Sequence, residues 1–310
     1  MIAKLHAPVL LDEVVSLLLP APGKVLLDGT AGAGGHAFAL AEAGATVIAL
    51  DRDPLAIELT RERLAPFGAR CRLLRRNFSD ARAALDELGV GVVDGTLLDL
   101  GVSSMQLDLP DRGFGFRADG PLDMRMSPDE GPSARQLLAE SDERTISEVL
   151  RALGEEAFAR PIARSIKRAA RMETTLDLVQ AVEAAVPRAR WPKRIHVATR
   201  TFQGIRLWVN QELESLDRFL RDLPGLLGAG ARAVIISFHS LEDRAVKHRF
   251  RDLAGGCTCP PKLPVCACGA GGRFRLLTKR AVVAGETELA DNRRSRSARL
   301  RALERIGVAA

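Results

Sequence analysis

The chain contains no tyrosine, and its aromatic content is only 4%. Lysine is scarce too, 7 residues against 38 arginines. Nowhere do roughly 18 apolar residues follow one another, the length a bilayer span requires, so no transmembrane helix is expected. The N-terminal run VLLDEVVSLLL is broken by Asp12 and Glu13 and leads straight into a strand-like segment, which is not the build of a signal peptide. These lacks predict a cytoplasmic protein without membrane attachment. Cysteine is thin outside one segment: four of the five, Cys257, Cys259, Cys266 and Cys268, crowd into CTCPPKLPVCAC. In a reducing compartment this is not a disulfide framework. Its C-x-C pairs are also tighter than the pairs usual in zinc sites, so no metal is expected.

At 310 residues, with 46% hydrophobic and 27% charged positions, the chain can bury one large core or two ordinary ones. Net charge is +6 and the isoelectric point near 9.4, carried mostly by guanidinium groups, which pair well with phosphates. A polyanion such as nucleic acid is a natural partner class.

Residues 25–28, 46–51, 71–75 and 92–99 are short apolar runs separated by helix-compatible stretches. This βαβ rhythm predicts an α/β fold with a parallel sheet. It stops at a Gly-, Pro- and Asp-rich loop over about 108–132. Residues 133–186 then read as helical, with caps at Ser133, at Ser141 or Asp142, and at Thr174. A long helical stretch follows over about 196–222. A buried strand (231–238), a helix (240–253), a strand-like run (274–284) and a basic tail complete the chain. The expected organisation is a sheet domain in two parts, 1–107 and 205–310, interrupted by an all-helical insertion over 108–204. Ligands of such sheets sit at the carboxyl ends of the strands, where the insertion is placed to cover the cleft.

The first strand runs into the glycine-rich loop DGTAGAGGHA, which lacks the Gly-Lys-Ser/Thr ending of a phosphate-binding P-loop. Gly32, Gly34 and Ala37, with Asp51 further on, also fit a dinucleotide fingerprint. Asp28 argues otherwise. A carboxylate directly before the loop opposes a pyrophosphate and favours a ligand with positive groups, such as the ammonium and sulfonium of S-adenosylmethionine. Asp51, ending the second apolar run, can accept both ribose hydroxyls. Asn77 or Phe78 would border the adenine. Asp99 closes the fourth run, facing cofactor and substrate.

Taken together, HAPVLLDEVV, DGTAGAGGH, DRDP, LLDLGVSSMQLD, RGFGFR, GPLDMRM, RTFQGIRLWVNQEL, SFHSLEDR, the Cys segment and RRSRSARLR resemble the bacterial ribosomal small subunit methyltransferase H family, also called MraW. The resemblance runs from about residue 6 to 305. It implies a Rossmann-like S-adenosylmethionine-dependent methyltransferase sheet. It also implies methyl transfer to N4 of a cytidine in the decoding region of 16S rRNA, with the rRNA or the small ribosomal subunit as partner. It places the cofactor at Gly34, Gly35, His36, Asp51, Phe78, Asp99 and Gln106. Two positions depart from methyltransferases at large. Thr30 stands where a first glycine is usual, which predicts a locally different turn, and the fourth-strand motif is not of the Asp/Asn-Pro-Pro-aromatic form.

The cytosine amine is a poor nucleophile because its lone pair is delocalised into the ring. An acceptor for an N4 hydrogen is therefore needed, together with alignment against the methyl–sulfur bond. Asp99, or a carbonyl nearby in DLGVSS, is the first candidate for catalysis and His239 in SFHSLEDR the second. C5 methylation would need a cysteine nucleophile, and the fourth-strand motif has none. For RNA, RARWPKRIHVATR (188–200) combines Arg188, Arg190, Trp191, Lys193, Arg194 and Arg200, suited to stacking and phosphate contact, and the tail adds further arginines. Phe114 and Phe116 are candidates to flank the target base. Two other readings stay open: a methyltransferase acting on another RNA or amine, and a non-catalytic RNA-binding protein of the same fold.

Overall fold

The structure, a computed structural model, describes residues 8–255 and 273–307. The four clustered cysteines lie outside the described residues. The chain divides into two compact units, Met1–Gly101 with Glu214–Ala310, and Val102–Leu213.

The first unit opens with α1 (Leu11–Leu18), β1 (Val25–Asp28), α2 (Gly35–Glu42), β2 (Thr46–Asp51), α3 (Pro54–Leu64), β3 (Cys71–Arg75), α4 (Ala81–Glu87) and β4 (Val93–Asp99). The chain then passes through the helices of the second unit: α5 (Ser104–Asp108), α6 (Ala134–Glu140), α7 (Glu143–Ala152), α8 (Ala159–Arg168), α9 (Thr175–Ala185) and α10 (Thr199–Asn210). It returns through α11 (Glu212–Leu226) to β5 (Leu227–Ser237), α12 (Ser240–Leu253), β6 (Phe274–Leu276), α13 (Glu286–Asp291) and β7 (Arg299–Arg305).

The seven strands form one sheet in the order β3-β2-β1-β4-β5-β7-β6. The first five are parallel, and β7 runs antiparallel between β5 and β6. Both faces are covered, so the strands alternate between two apolar layers rather than between core and water. Leu27, Leu98, Ala233, Ile235 and Leu303 face a layer with Leu216, Phe219 and Leu223 of α11 and Val246 and Phe250 of α12. Leu26, Leu97, Val234, Ile236, Leu300 and Ala302 face the other, with Val14 and Leu18 of α1 and Leu40 of α2. From β1 the chain winds outward to β3, then returns to β4 on the other side of β1. That reversal opens a crevice at the carboxyl ends of β1 and β4.

Three expectations for this unit change. The run over 274–284 is a strand only to Leu276, with Val282 making a lone bridge to Leu300. The expected helix over 196–222 is two helices, because Gln211 turns left-handed (φ 48°) and ends α10. The basic tail is a short 3₁₀ turn (Arg293–Ser297) that leads into β7, whose arginines are largely spoken for. Arg301 donates to both oxygens of Asp243, at 2.7 and 3.2 Å, and Glu304 pairs with Arg232 and Arg275.

In the second unit Ile146, Leu150, Ile162, Ile166, Leu178, Val182, Phe202 and Ile205 meet in one core. Its helices start where the sequence signals them. Ser133 and Thr174 form capping boxes with Gln136 and Asp177, and Asp142, rather than Ser141, caps α7. Removing the Ser133 hydroxyl takes away the acceptor of the Gln136 N–H in the first turn of α6. Ser133→Ala should therefore cost about 1 kcal/mol in a denaturant titration, and an unchanged midpoint would show that the cap contributes nothing.

The 108–132 stretch is an ordered loop inside this unit. Asn210 accepts from Met126 N–H at 2.7 Å and donates to Met124 O at 2.7 Å, holding Met124 left-handed (φ 62°) and fully buried. Gly113, at φ 70°, cannot be replaced, since a Cβ there would lie 2.2 Å from the Pro121 carbonyl. Phe114 is buried in the helical core, and Phe116 packs edge-on against Phe202 with ring centroids 4.8 Å apart. Phe114 fills the core and is not an open stacking face for a base, whereas Phe116 is half-buried at the margin of that core. Trp191 is likewise engaged: Arg188 lies over its ring at 4.6 Å and its indole N–H donates to Val186 O.

Candidate cofactor and active site

Strands β1, β2 and β4 each end on an aspartate, so the parallel register brings Asp28, Asp51 and Asp99 to one edge of the sheet. The loop after β1 is built around these acids. Gly32 N–H donates to Asp51 Oδ2 at 2.8 Å, and Asp53 N–H donates to Asp51 Oδ1 at 2.9 Å. Thr30 N–H donates to Asp28 Oδ1 at 3.1 Å. The Thr30 hydroxyl accepts the Asp99 N–H at 2.6 Å, tying the loop to the end of β4. That bond is what the threonine supplies in place of a glycine.

Two glycines of the loop are required locally. Gly34 sits left-handed (φ 75°) at the start of α2, where a Cβ would press on Thr60 at 3.2 Å. Gly35 has no such twist, but a Cβ there would come within 2.5 Å of Pro8. His36 follows, buried, its Nε2 3.0 Å from Val9 O. That carbonyl can only accept, so Nε2 carries the proton. Burial pushes the imidazole down to about 4, against the pull of the Val9 carbonyl, so the ring is neutral at physiological pH. Its Nδ1 is then a bare acceptor 3.8 Å from Asp99 Oδ2, too far for a hydrogen bond and without the charge for an ion pair.

The three carboxyls are crowded and short of cations. Burial, helped by Asp51 and opposed by the Thr30 N–H, raises Asp28 to about 7. Burial raises Asp51 to about 6, against its backbone N–H bonds. Burial, with Asp28, Glu242 and Glu288 adding their repulsion, raises Asp99 to about 8. Asp28 Oδ2 and Asp99 Oδ1 are buried with no hydrogen-bond partner among the described residues. Buried unpaired acceptors call for a donor or a cation. A pyrophosphate would face the carboxyls of Asp28 and Asp99, and the Gly32 N–H it would need is already taken by Asp51. The donor set fits a cationic ligand with a ribose, and that decides against the dinucleotide reading.

Phe78 lies beside Gly29, whose Cβ would be 3.0 Å from Phe78 Cβ. It is half-buried, with one edge against Phe219 at 5.9 Å between centroids. Asn77 is held by Ser215 at 3.1 Å. Gln106 belongs to the second unit, where it is buried and completes a capping box with Ser103.

His239 follows β5 and caps α12. Its Nδ1 accepts the Glu242 N–H at 3.5 Å, and its Nε2 lies 3.1 Å from Glu242 Oε1. Glu242 in turn accepts from Phe238 N–H at 2.9 Å. Nε2 is buried and makes no hydrogen bond among the described residues, so the ring's one hydrogen bond is the cap that starts the helix. Two residues make contacts at the site that go beyond the sequence reading. Thr30 is one. Glu288 of α13 is the other: it accepts Leu10 N–H at 2.9 Å and adds its charge to the field on Asp99. The one signal for Glu288 was an acidic patch, ETELAD, within an otherwise basic C-terminal segment.

The MraW methylase family model matches residues 3–306. The chain belongs to the MraW methylase family. Ribosomal RNA small subunit methyltransferase H of Anaeromyxobacter sp. (strain Fw109-5) is 57% identical over 304 residues, covering 97% of this chain and 98% of that protein. The protein of the same name from Myxococcus xanthus is 56% identical, with 97% of each chain covered. That from Geobacter sulfurreducens is 51% identical, covering 97% of this chain and 99% of the relative. This family member is a methyltransferase with a Rossmann-like sheet, and S-adenosylmethionine is its methyl donor. Among the described residues no helix is long and apolar enough to cross a membrane, and no group of metal-ligating side chains is assembled.

The acid cluster ties cofactor binding to pH. Carboxyls whose pKa values are raised are neutral below the shift and ionise through about 6 to 8. In the ligand-free chain that ionisation costs stability, since charge appears where burial opposes it. A bound cation reverses the sign by favouring the ionised forms. Affinity for S-adenosylmethionine should therefore rise severalfold between pH 5 and 7.5, below the range where the ligand's own amine deprotonates. Proton release should be seen when calorimetry is repeated in buffers of different ionisation enthalpy. Binding that is flat across this range, with no proton release, would mean that these carboxyls do not face the ligand's charges.

Proposed function

We propose that this methyltransferase acts on the N4 amine of a cytidine in the decoding region of 16S rRNA, presented as rRNA or as the small ribosomal subunit. The observation that carries the chemistry is the buried, unpartnered Asp99 Oδ1 at the end of β4, beside acids that suit a sulfonium. Whole-length relatives named for small subunit rRNA support the substrate.

S-adenosylmethionine supplies a methyl group on a positive sulfur, which departs as a neutral thioether. The chain has three tasks. Asp28 and Asp51, with Gly34, Gly35, His36 and Phe78, hold the cofactor, Asp51 by the ribose. Asp99 accepts a hydrogen bond from the amine and turns the nitrogen lone pair out of conjugation toward the methyl carbon. The lone pair then forms the new N–C bond while the C–S pair stays on sulfur. The surplus proton on nitrogen passes to Asp99 or to solvent. His239 is a second acceptor only if Glu242 releases its ring. The helical unit, with the basic run at 188–200, is assigned to the RNA.

Labelled S-adenosylmethionine incubated with naked 16S rRNA, assembled small subunits and an unrelated RNA tests this directly. Nuclease digestion and mass spectrometry should find N4-methylcytidine at one position in the small subunit rRNA. Methyl groups on C5 or on a different RNA would overturn the assignment. RNA binding without transfer would favour a non-catalytic role.

A further inference from the structure

The cavity beside His239 is not used by the chemistry above, and its lining points to a ligand. It measures about 750 Å³ and begins at Phe238 and His239, directly after β5. Its wall then follows α12 through Arg244, Lys247 and His248, with Arg296 opposite. A second cavity of about 250 Å³ continues from the same Lys247 to Arg251 and Lys279. Positions 244, 247, 248 and 251 lie at helical spacings of three, four and seven, so they form one stripe on α12. The stripe runs about 10 Å at 1.5 Å rise per residue.

A charged stripe is often only a solvated face, laced with acids one turn away. Here the acids of the helix are few, and most are engaged by other groups. The helix has acids at Glu242, Asp243 and Asp252. Glu242 is buried and turned to His239 and Phe238 N–H, while Asp243 lines the cavity one turn before Lys247 with its carboxylate held by Arg301 and Arg299. Asp252, one turn after His248, is the single acid left on the helix surface. Lys247 and Arg251 stand one turn apart with the same charge, an arrangement that weakens a helix unless something anionic repays it. The groove also starts at the sheet edge where β5 pairs with β4, in the register Asp99↔Ile236.

We infer that the groove along α12 binds the phosphodiester backbone of the substrate RNA. Arg244, Lys247, Arg251 and Lys279 take the phosphates of nucleotides next to the target while its base lies at Asp99. Two to three phosphates fit the stripe. The contact reads backbone and not sequence. The inference rests on an RNA substrate but not on which RNA or which base.

The test uses the full chain and a uridine 20-mer, which offers phosphates without a methylatable cytosine. Binding is measured between about 50 and 300 mM salt for wild type and for two quadruple variants, R244Q/K247Q/R251Q/K279Q and the matching set of alanines. Each lost phosphate contact lowers the slope of log affinity against log salt by about 0.7 for a single strand. The slope should fall by about 1.5 to 2 in both variants, with affinity down at least tenfold at the lowest salt. S-adenosylmethionine affinity and the melting temperature of the glutamine variant should stay as in wild type, since none of the four residues belongs to the cofactor site. An unchanged slope overturns the groove, as does loss of binding to anionic phospholipid vesicles with RNA binding intact. If the slope falls but wild type methylates no 16S rRNA, the groove stands and the rRNA assignment fails instead.

Discussion

Asp99→Asn should lower single-turnover methylation about 100-fold or more at saturating cofactor, the range for removing an electrostatic contact made in the transition state. The substitution keeps the side-chain shape and one acceptor oxygen. The backbone N–H of residue 99 keeps its bond to Thr30, so the end of β4 stays in place. What is lost is charge at the moment the amine nitrogen turns positive. In the ligand-free chain Asp99 is held near 8 by burial and by Asp28, Glu242 and Glu288, so it is largely neutral at pH 7. A bound sulfonium lowers that value, and the carboxylate is then available to the amine. The wild-type rate should accordingly rise with pH until Asp99 ionises in the complex, whereas the asparagine variant should lack that limb. Cofactor affinity should fall by much less than the rate, because Asp28 and Asp51 still face the ligand. His239→Ala serves as the comparison. It removes a helix cap, so it should lower stability by about 1 kcal/mol and slow turnover only modestly. Wild-type turnover in Asp99→Asn beside a dead but folded His239→Ala would reverse the two roles and leave Asp99 a cofactor ligand.

The parts of this site legible in the sequence are those fixed by local chain geometry. A short apolar run ending on an acid places Asp28, Asp51 and Asp99 at strand ends whatever the tertiary detail, because parallel strands share one carboxyl edge. Ser133 and Thr174 are readable as caps, and Asp142 as one of two choices with Ser141, for a similar reason, since a cap bonds to its own helix three residues on. What escaped depends on partners distant in sequence. Thr30 meets Asp99 across 69 residues, and Glu288 meets Leu10 across 278. The C-terminal arginines look like a solvated tail because charge hides the alternation in RLRALER. Leu300 and Ala302 enter one apolar layer and Leu303 the other, while Asp243 and Glu304 hold the arginines. The burial of Phe114 escapes because a loop sequence does not disclose that its ring folds back into a helical core. His239 sits at a strand end like the aspartates, yet Glu242 three residues later makes it a cap, and a histidine is an unusual residue in that position.

Asp51→Ala should weaken S-adenosylmethionine binding by about 1.5–3 kcal/mol, or roughly 10- to 150-fold, the usual loss for hydrogen bonds to a charged acceptor. Each Asp51 oxygen already accepts one backbone N–H, from Gly32 and from Asp53, and each keeps a lone pair for a ribose hydroxyl. Alanine removes both acceptors together. It also frees the Gly32 N–H, so the loop that carries Gly34 and Gly35 loses an anchor, which pushes the effect toward the upper end. Ligand-free stability should change little, because the two lost backbone bonds are offset by removing a buried charge that burial had raised to about 6 and that repels Asp28. The pH dependence should shift as well. With Asp51 gone, Asp28 ionises more readily, and the rise of affinity between pH 5 and 7.5 should begin earlier and be shallower. NAD should bind neither protein, since its pyrophosphate meets Asp28 and Asp99 in both. Calorimetry giving Asp51→Ala the wild-type affinity would take the ribose away from β2 and return the dinucleotide fingerprint to consideration.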